Sequence, residues 1–299
     1  LTPHPASIPA TRGPDSERRR PALALPPGSC DCHSHVFGPA ERFPYAPTRS
    51  YTPPDCTTED YVRMLETIGC ERAVIVQPSC YGTDNSATLD ALCSGRFDFR
   101  GVAVISGHEP DAELQAMHEA GVRGVRLNLH TRGAMLGLED AGRLAAQVRP
   151  LGWHVQVYVQ TAALPDLDGL LATLGGTVVI DHMGQPDVDA GVDAPAFRTL
   201  LRALADGRCW VKLSGAYRLS KSHPGYAEVT PFARALVAAN PTQLVWGSDW
   251  PHPNFTGTMP NDAELVDLLA DWIPDAGTRR QVLVDNPARL YHFPAARAA

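Results

Sequence analysis

Hydrophobic positions along this chain come in short bursts. Runs rich in apolar and β-branched residues recur at 30–36, 72–78, 99–105, 122–129, 154–159, 177–183, 209–214 and 244–249. Runs of that length, most of them bounded by turn residues or helical patterns, predict buried strands. Between them lie stretches with helical spacing, at 57–69, 84–94, 110–120, 139–151, 164–174, 195–206, 229–239 and 262–272. In 57–69, Thr57 or Thr58 supplies a cap, Glu59 and Asp60 suit the positive end of the helix, and Gly69 ends it. Tyr61, Met64, Leu65 and Ile68 fall on one apolar face. Eight alternations of strand and helix predict the α/β class and a (β/α)8 TIM barrel. A doubly wound open sheet also alternates, but the count of eight and the polar residues at strand ends favour the barrel. A closing helix is expected over Arg279 to Val284.

Composition narrows the class. The 299 residues are 44% hydrophobic and 20% charged, ordinary for a globular protein, and one barrel can absorb this length. No apolar run approaches the roughly 18 residues of a bilayer span, so no membrane partner is expected. The net charge of -7 argues against a nucleic-acid binder, although local arginines can still hold an anion. Seven cysteines, an odd number in mostly apolar or helical contexts, fit a cytoplasmic protein better than a disulfide scaffold. Residues 1–27 carry five prolines before Pro26 and the run Arg18, Arg19, Arg20. They are expected to be a disordered or extended segment ahead of a single catalytic barrel at 28–299. The sequence carries no signal for oligomeric state.

Barrel active sites lie at the C-terminal ends of the strands. The first strand ends at His33 and His35, two positions that share a face. The second ends at Gln77, Pro78 and Ser79, and the fourth carries Arg126 and leads to Arg132. The fifth carries Tyr158, the sixth ends at Asp181 and His182, and the seventh leads to Ser214 and Arg218. The eighth ends at Asp249, followed by Trp250, Pro251 and His252. Each has a plainer reading alone: a solvated histidine, Asp181 on a backbone amide, Asp249 capping a helix, Tyr158 in the core. Joint placement at one mouth points instead to a reaction centre. His252 is the weakest member, and His130 and His154 are read as structural. Arg126 interrupts the apolar run Val125-Arg126-Leu127, where a charge needs a partner or a ligand. Arg126, Arg132 and Arg218 together suit a substrate with acidic groups, with hydroxyl contacts from Tyr51 and Ser79.

Longer motifs carry a resemblance. They are G-P-A-E-R-F-P-Y-A-P-T-R-S-Y-T-P-P-D, Q-P-S-C-Y-G-T-D-N, G-V-R-G-V-R, V-V-I-D-H-M-G, W-G-S-D-W-P-H-P-N and V-D-N-P-A-R-L-Y. Together, over about residues 28 to 294, they resemble the 2-pyrone-4,6-dicarboxylate lactonase group of the amidohydrolase superfamily, with 4-sulfomuconolactone hydrolase as a close sister. The resemblance implies hydrolysis of an anionic lactone in bacterial aromatic-compound degradation. It places His33, His35, His182, Tyr158, Asp249 and Arg132 at the reacting ester. Tyr51, Ser79, Arg126, Arg132, Arg218 and His252 would surround the rest of the substrate. Two departures bear on the substrate: the segment Lys212 to Arg218 reads K-L-S-G-A-Y-R, and Gln185 stands where the pyrone enzyme is expected to have arginine.

The superfamily's binuclear metal centre uses a lysine on strand four and a histidine on strand five. Here strand four has no lysine and strand five offers Tyr158. No cofactor is favoured, with a single zinc ion on His33, His35, His182 and Asp249 as the alternative. Alternative functions are a sugar-acid lactonase of the same group and, in another class, a metal-dependent decarboxylase.

Overall fold

The computed structural model describes residues 8–129, 138–164 and 166–294. Its parallel strands run side by side in chain order. They are β1 (Cys30–Ser34), β2 (Arg72–Val76), β3 (Asp98–Ala103), β4 (Val122–Asn128), β5 (His154–Tyr158), β6 (Val178–Ile180), β7 (Trp210–Leu213) and β8 (Leu244–Trp246). The helices α1 (Thr58–Ile68), α2 (Ser86–Cys93), α3 (Asp111–Glu119), α4 (Leu138–Val148), α5 (Leu167–Leu174) and α6 (Pro195–Ala205) follow the first six strands. After β7 come the short α7 (Ala216–Leu219) and α8 (Thr230–Ala239), and after β8 comes α9 (Asp262–Trp272). Each connection returns the chain to a parallel neighbour, which gives the expected (β/α)8 barrel. The cap of α1 follows its sequence: Thr57 and Asp60 form a reciprocal capping box, and Gly69 ends the helix at φ 85°.

Strand periodicity divides the core in two. Ala73, Ile75, Val125, Leu127, Val155 and Val157 pack outward with the helices. The alternate positions Val74, Val76, Val102, Val179, Trp210 and Val245 point inward with Cys30 and Cys32. Tyr291 and Leu290 complete this inner cluster. They belong to α11 (Asn286–Tyr291), which follows α10 (Ala276–Arg280) through a wide π turn at Gln281–Asp285. The closing helix expected over Arg279 to Val284 is helical throughout, passing from α10 into the π turn, and Pro287 follows in the first turn of α11.

One irregularity sets up the mouth. Cys30 pairs with Arg72 and Asp31 with Ala73, but Ser34 pairs with Ile75. Three steps along β1 thus match two along β2, which is a β-bulge. Below it Cys30 and Cys32 face the barrel interior; above it His33 and His35 do. Without the extra residue, one parity could not serve all four.

The barrel closes between β1 and the segment after β8. Ser34 bridges Trp250, His35 N–H donates to Trp250 O, and Asp249 N–H donates to His33 O. Residues 8–27 lie along the outside of the barrel. Thr11 N–H donates to Thr52 O, Asn261 binds Asp15 and Glu17, and Arg19 pairs with Glu264. Among the described residues no helix is long and apolar enough to cross a membrane. The seven cysteines are free, and all but Cys93 are buried.

Candidate active site

Polar side chains converge where β1, β4 to β8 and their loops meet. Asp249 is the hub. Its Oδ2 accepts from Arg218 Nε at 2.7 Å and Tyr217 Oη at 2.6 Å. Its Oδ1 lies 3.4 Å from His35 Nε2 and 3.6 Å from His33 Nε2. His182 Nε2 stands 3.8 Å from Oδ2, and its Nδ1 is 2.8 Å from Ser214 Oγ. His35 Nδ1 faces Val76 O at 2.7 Å. A carbonyl only accepts, so Nδ1 carries hydrogen and, in the neutral ring, Nε2 turns a lone pair toward Asp249.

Local backbone makes this convergence possible at a cost. Of the eight described non-glycine residues at positive φ, six sit at this mouth: His182, Met183, Gln185, Asp249, His252 and Asn254. Such conformations cost about 1–3 kcal/mol each, so their crowding after β6 and β8 marks a strained functional region. Two glycines permit close approach. A Cβ at Gly247 would come 2.6 Å from His33 Cβ, and one at Gly215 would come 2.9 Å from His182 Nδ1. Asp31 staples the two sides. Its carboxylate accepts from His33 N, Ser248 N, Ser248 Oγ and Tyr61 Oη, joining β1 to the residue before Asp249. Burial pushes Asp31 up to about 6 against the pull of those donors.

Beneath the histidines the barrel holds a buried polar layer. Lys212, fully buried on β7, donates to Cys32 O at 2.8 Å and Gln156 Oε1 at 2.6 Å. Gln156 Nε2 donates to Asp181 Oδ2 at 3.0 Å, and Arg126 Nε lies 3.4 Å from the same oxygen. Asp181 Oδ1 is 3.3 Å from His33 Nδ1. Arg126 also stacks over Tyr158, whose Oη accepts from Gln185 Nε2 at 2.8 Å.

The electrostatics follow from burial and neighbours. Desolvation lowers His33 and His35 from the ordinary histidine value and brings His182 to about 4, so all three are neutral at pH 7. Burial alone would raise Asp249, but the Arg218 guanidinium holds it well below the usual carboxylate range. Burial works the same way on Asp181, and the cations Lys212 and Arg126 hold it low. Burial lowers Lys212, against the attraction of Asp181.

A cavity of about 420 Å³ opens onto these groups. His35, Tyr51, Ser79, Arg126, Tyr158, His182, Arg218 and Asp249 line it. Asn128, Gln185, Pro253, Asn254 and Phe255 also line it. His33 lies just below, fully buried. Arg132 and His130 lie outside the described residues. His252 does not line the cavity; it is buried with its ring edge-on to Tyr217 and its Nε2 3.3 Å from Asp262. His154 is buried low in the barrel against Tyr291. Sequence reasoning gave no role to Lys212, Gln156 or Tyr217. A lysine within an otherwise apolar β7 was their one visible signal, the same signal that exposed Arg126.

His33, His182 and Asp249 each offer a ligand atom, all within 4.8 Å of one another. The buried atoms His33 Nε2 and Asp249 Oδ1 lack hydrogen-bond partners among the described residues. By type and spacing these donors fit a single ion of the zinc kind. The surroundings oppose it: Arg218 is already salt-bridged to Asp249, and Lys212 stands beside His33.

The barrel and its His-x-His, His and Asp cluster define the class: the chain belongs to the amidohydrolase family, whose model matches residues 30–293. It is 42% identical over 282 residues to 2-pyrone-4,6-dicarboxylate hydrolase of Comamonas testosteroni, covering 91% of this chain and 92% of that one. It is 41% identical over 293 residues to 4-sulfomuconolactone hydrolase of Rhizobium radiobacter, covering 96% and 97%. Among solved structures it is similar to a probable 2-pyrone-4,6-dicarboxylic acid hydrolase from Acinetobacter baumannii with citric acid bound. That match has a TM-score of 0.78 at 28% identity and covers 89% of this chain and 100% of that one.

Proposed function

We propose that this protein hydrolyses an anionic lactone, 2-pyrone-4,6-dicarboxylate or a close analogue, as a step in aromatic-compound breakdown. The single observation carrying this is Asp249 Oδ1, a buried carboxylate oxygen beside His35 Nε2 at the floor of an arginine-lined cavity. Two acceptors 3.4 Å apart can hold a water by both its hydrogens. Asp249 takes a proton as the water oxygen attacks the lactone carbonyl carbon. Arg218, tied to the same carboxylate, keeps Asp249 ionised and orients it. His182 and arginine polarise the carbonyl and receive the charge that develops on its oxygen, with His182 Nε2–H as donor when Nδ1 accepts from Ser214 Oγ. Collapse of the tetrahedral centre expels the ring oxygen and opens the lactone.

The arginines set substrate class, but more narrowly than their number suggested. Arg126 and Arg218 are each paired with a carboxylate, Asp181 and Asp249. Their remaining N–H groups serve as oriented donors rather than as two uncompensated charges. Gln185 adds a neutral amide, which suits a sulfonate as well as a carboxylate, so 4-sulfomuconolactone is the second candidate. The reading needs no metal. Were one ion held by His33, His35, His182 and Asp249, it would polarise the carbonyl and acidify water.

A lactone panel followed by proton release tests the assignment. The panel holds 2-pyrone-4,6-dicarboxylate, 4-sulfomuconolactone and a neutral sugar lactone. An anionic member should exceed the neutral one by roughly ten- to a hundredfold in kcat/KM for each charge-assisted contact it makes. Preference for the neutral lactone would overturn the arginine argument. Release of carbon dioxide instead of ring opening would point to a decarboxylase.

A further inference from the structure

We propose that Lys212 is a positioning residue that fixes the tautomer of His33, so that His33 presents Nε2–H to Asp249 and the reacting oxygen. The inference rests on the reading of Asp249 as the base and deepens it. Lys212 is fully buried inside the barrel, and an ammonium can only donate. Two of its three hydrogens go to Cys32 O and Gln156 Oε1. The third has His33 Nδ1 at 3.4 Å, with Asp181 Oδ1 farther off at 3.7 Å. Nδ1 then accepts, and the ring hydrogen resides on Nε2.

Asp181 competes for Nδ1, since its Oδ1 lies 3.3 Å away. That contact lacks hydrogen-bond geometry, and Asp181 Oδ1 has no hydrogen-bond partner among the described residues, whereas Lys212 to His33 qualifies. Gln156 and Arg126 serve the other oxygen of Asp181. Counting donors at the far end of the ring decides the matter. Asp249 Oδ1 is an acceptor, and His35 Nε2 is one as well because its Nδ1 donates to Val76 O. With hydrogen on Nδ1, His33 would turn a third lone pair into the same buried space. With hydrogen on Nε2, it turns a donor into that space, 3.6 Å from Asp249 Oδ1, too far for a direct bond but within reach of an oxygen lying between them.

Three converging acceptors are what a metal ion would satisfy. Lys212 thereby tilts the site toward polarisation by N–H groups and away from zinc. The same logic orients Gln156: its oxygen must face Lys212, so its amide nitrogen faces Asp181, as observed.

The test is long-range ¹⁵N–¹H correlation spectroscopy of the histidines in chelator-treated, substrate-free protein, with His33 assigned from a His33→Asn sample. His33 should be the Nε2–H tautomer. In Lys212→Met, His33 should shift to Nδ1–H toward Asp181, and zinc affinity by equilibrium dialysis should tighten by roughly tenfold or more. Lys212→Met should also lower kcat more than it changes KM. Nδ1–H in the wild-type protein would overturn the proposal, as would unchanged zinc affinity in a folded Lys212→Met. If that variant does not fold, the wild-type spectrum alone decides. Because no lactone is present, this outcome is separate from whether the protein hydrolyses one.

Discussion

Asp249 does two jobs with two oxygens. Oδ2 is held by Arg218 and Tyr217, while Oδ1 is left facing His33 and His35. Asp249→Asn keeps the shape and removes the proposed base. It should cut kcat by roughly a hundred- to ten-thousand-fold with substrate still bound, read by steady-state kinetics and by calorimetric binding. Unchanged turnover would remove Asp249 from the mechanism. The pH profile follows from the same environment. Asp249 has a depressed pKa, so its active carboxylate persists as pH falls. His182 titrates at about 4 and is neutral above that. We expect kcat/KM to show no histidine limb between about pH 5 and 8; a fall near 6 belongs to Asp31, pushed up to about 6 by burial, and should be absent in Asp31→Asn. A limb near the ordinary histidine value that persists in Asp31→Asn would mean that a histidine must change charge in the reaction. At this scale the chain was largely legible. Polar residues at strand ends cost stability unless used, which singled out His33, His35, His182 and Asp249. Lys212 and Gln156 were not legible as a unit, because they meet only when β5 and β7 curve round the interior.

Among the elements, β1 and the segment after β8 carry most of the consequence. The bulge in β1 lets Cys30 and Cys32 fill the lower barrel while His33 and His35 face the mouth. Strict alternation, which is what sequence spacing offers, hides that change of parity. Asp31 then holds the bulged strand to Ser248 through donors on both sides. Asp31→Ala would leave those buried donors unpaired, and we expect a loss of about 3 kcal/mol in unfolding free energy by denaturant titration. A loss below about 0.5 kcal/mol would show that backbone bonds alone hold this seam. The helices were the easiest elements to foresee. Their caps and apolar faces are local, as in Thr57 to Gly69, and the closing helix over Arg279 to Val284 was legible too, though not its widening into a π turn.

For the molecule as a whole, eight strand–helix units were written in the periodicity, and the closed barrel follows from their number. The charge pattern was harder to read. An overall charge of -7 surrounds a mouth with arginines, yet Arg126 and Arg218 are paired with the buried carboxylates that follow β6 and β8. Sequence shows the arginines but not their partners, so it overstates how much free positive charge meets the substrate. What remains is a cavity of about 420 Å³ with oriented donors around a buried base and neutral histidines. The central claim is that these side chains alone open an anionic lactone ring. It is tested most directly by kcat/KM of exhaustively chelated protein on 2-pyrone-4,6-dicarboxylate and on its neutral dimethyl ester. The account predicts full retention of activity after chelation and a preference for the dianion of roughly tenfold or more. Loss of turnover restored only by zinc, or equal turnover of the neutral ester, would contradict it.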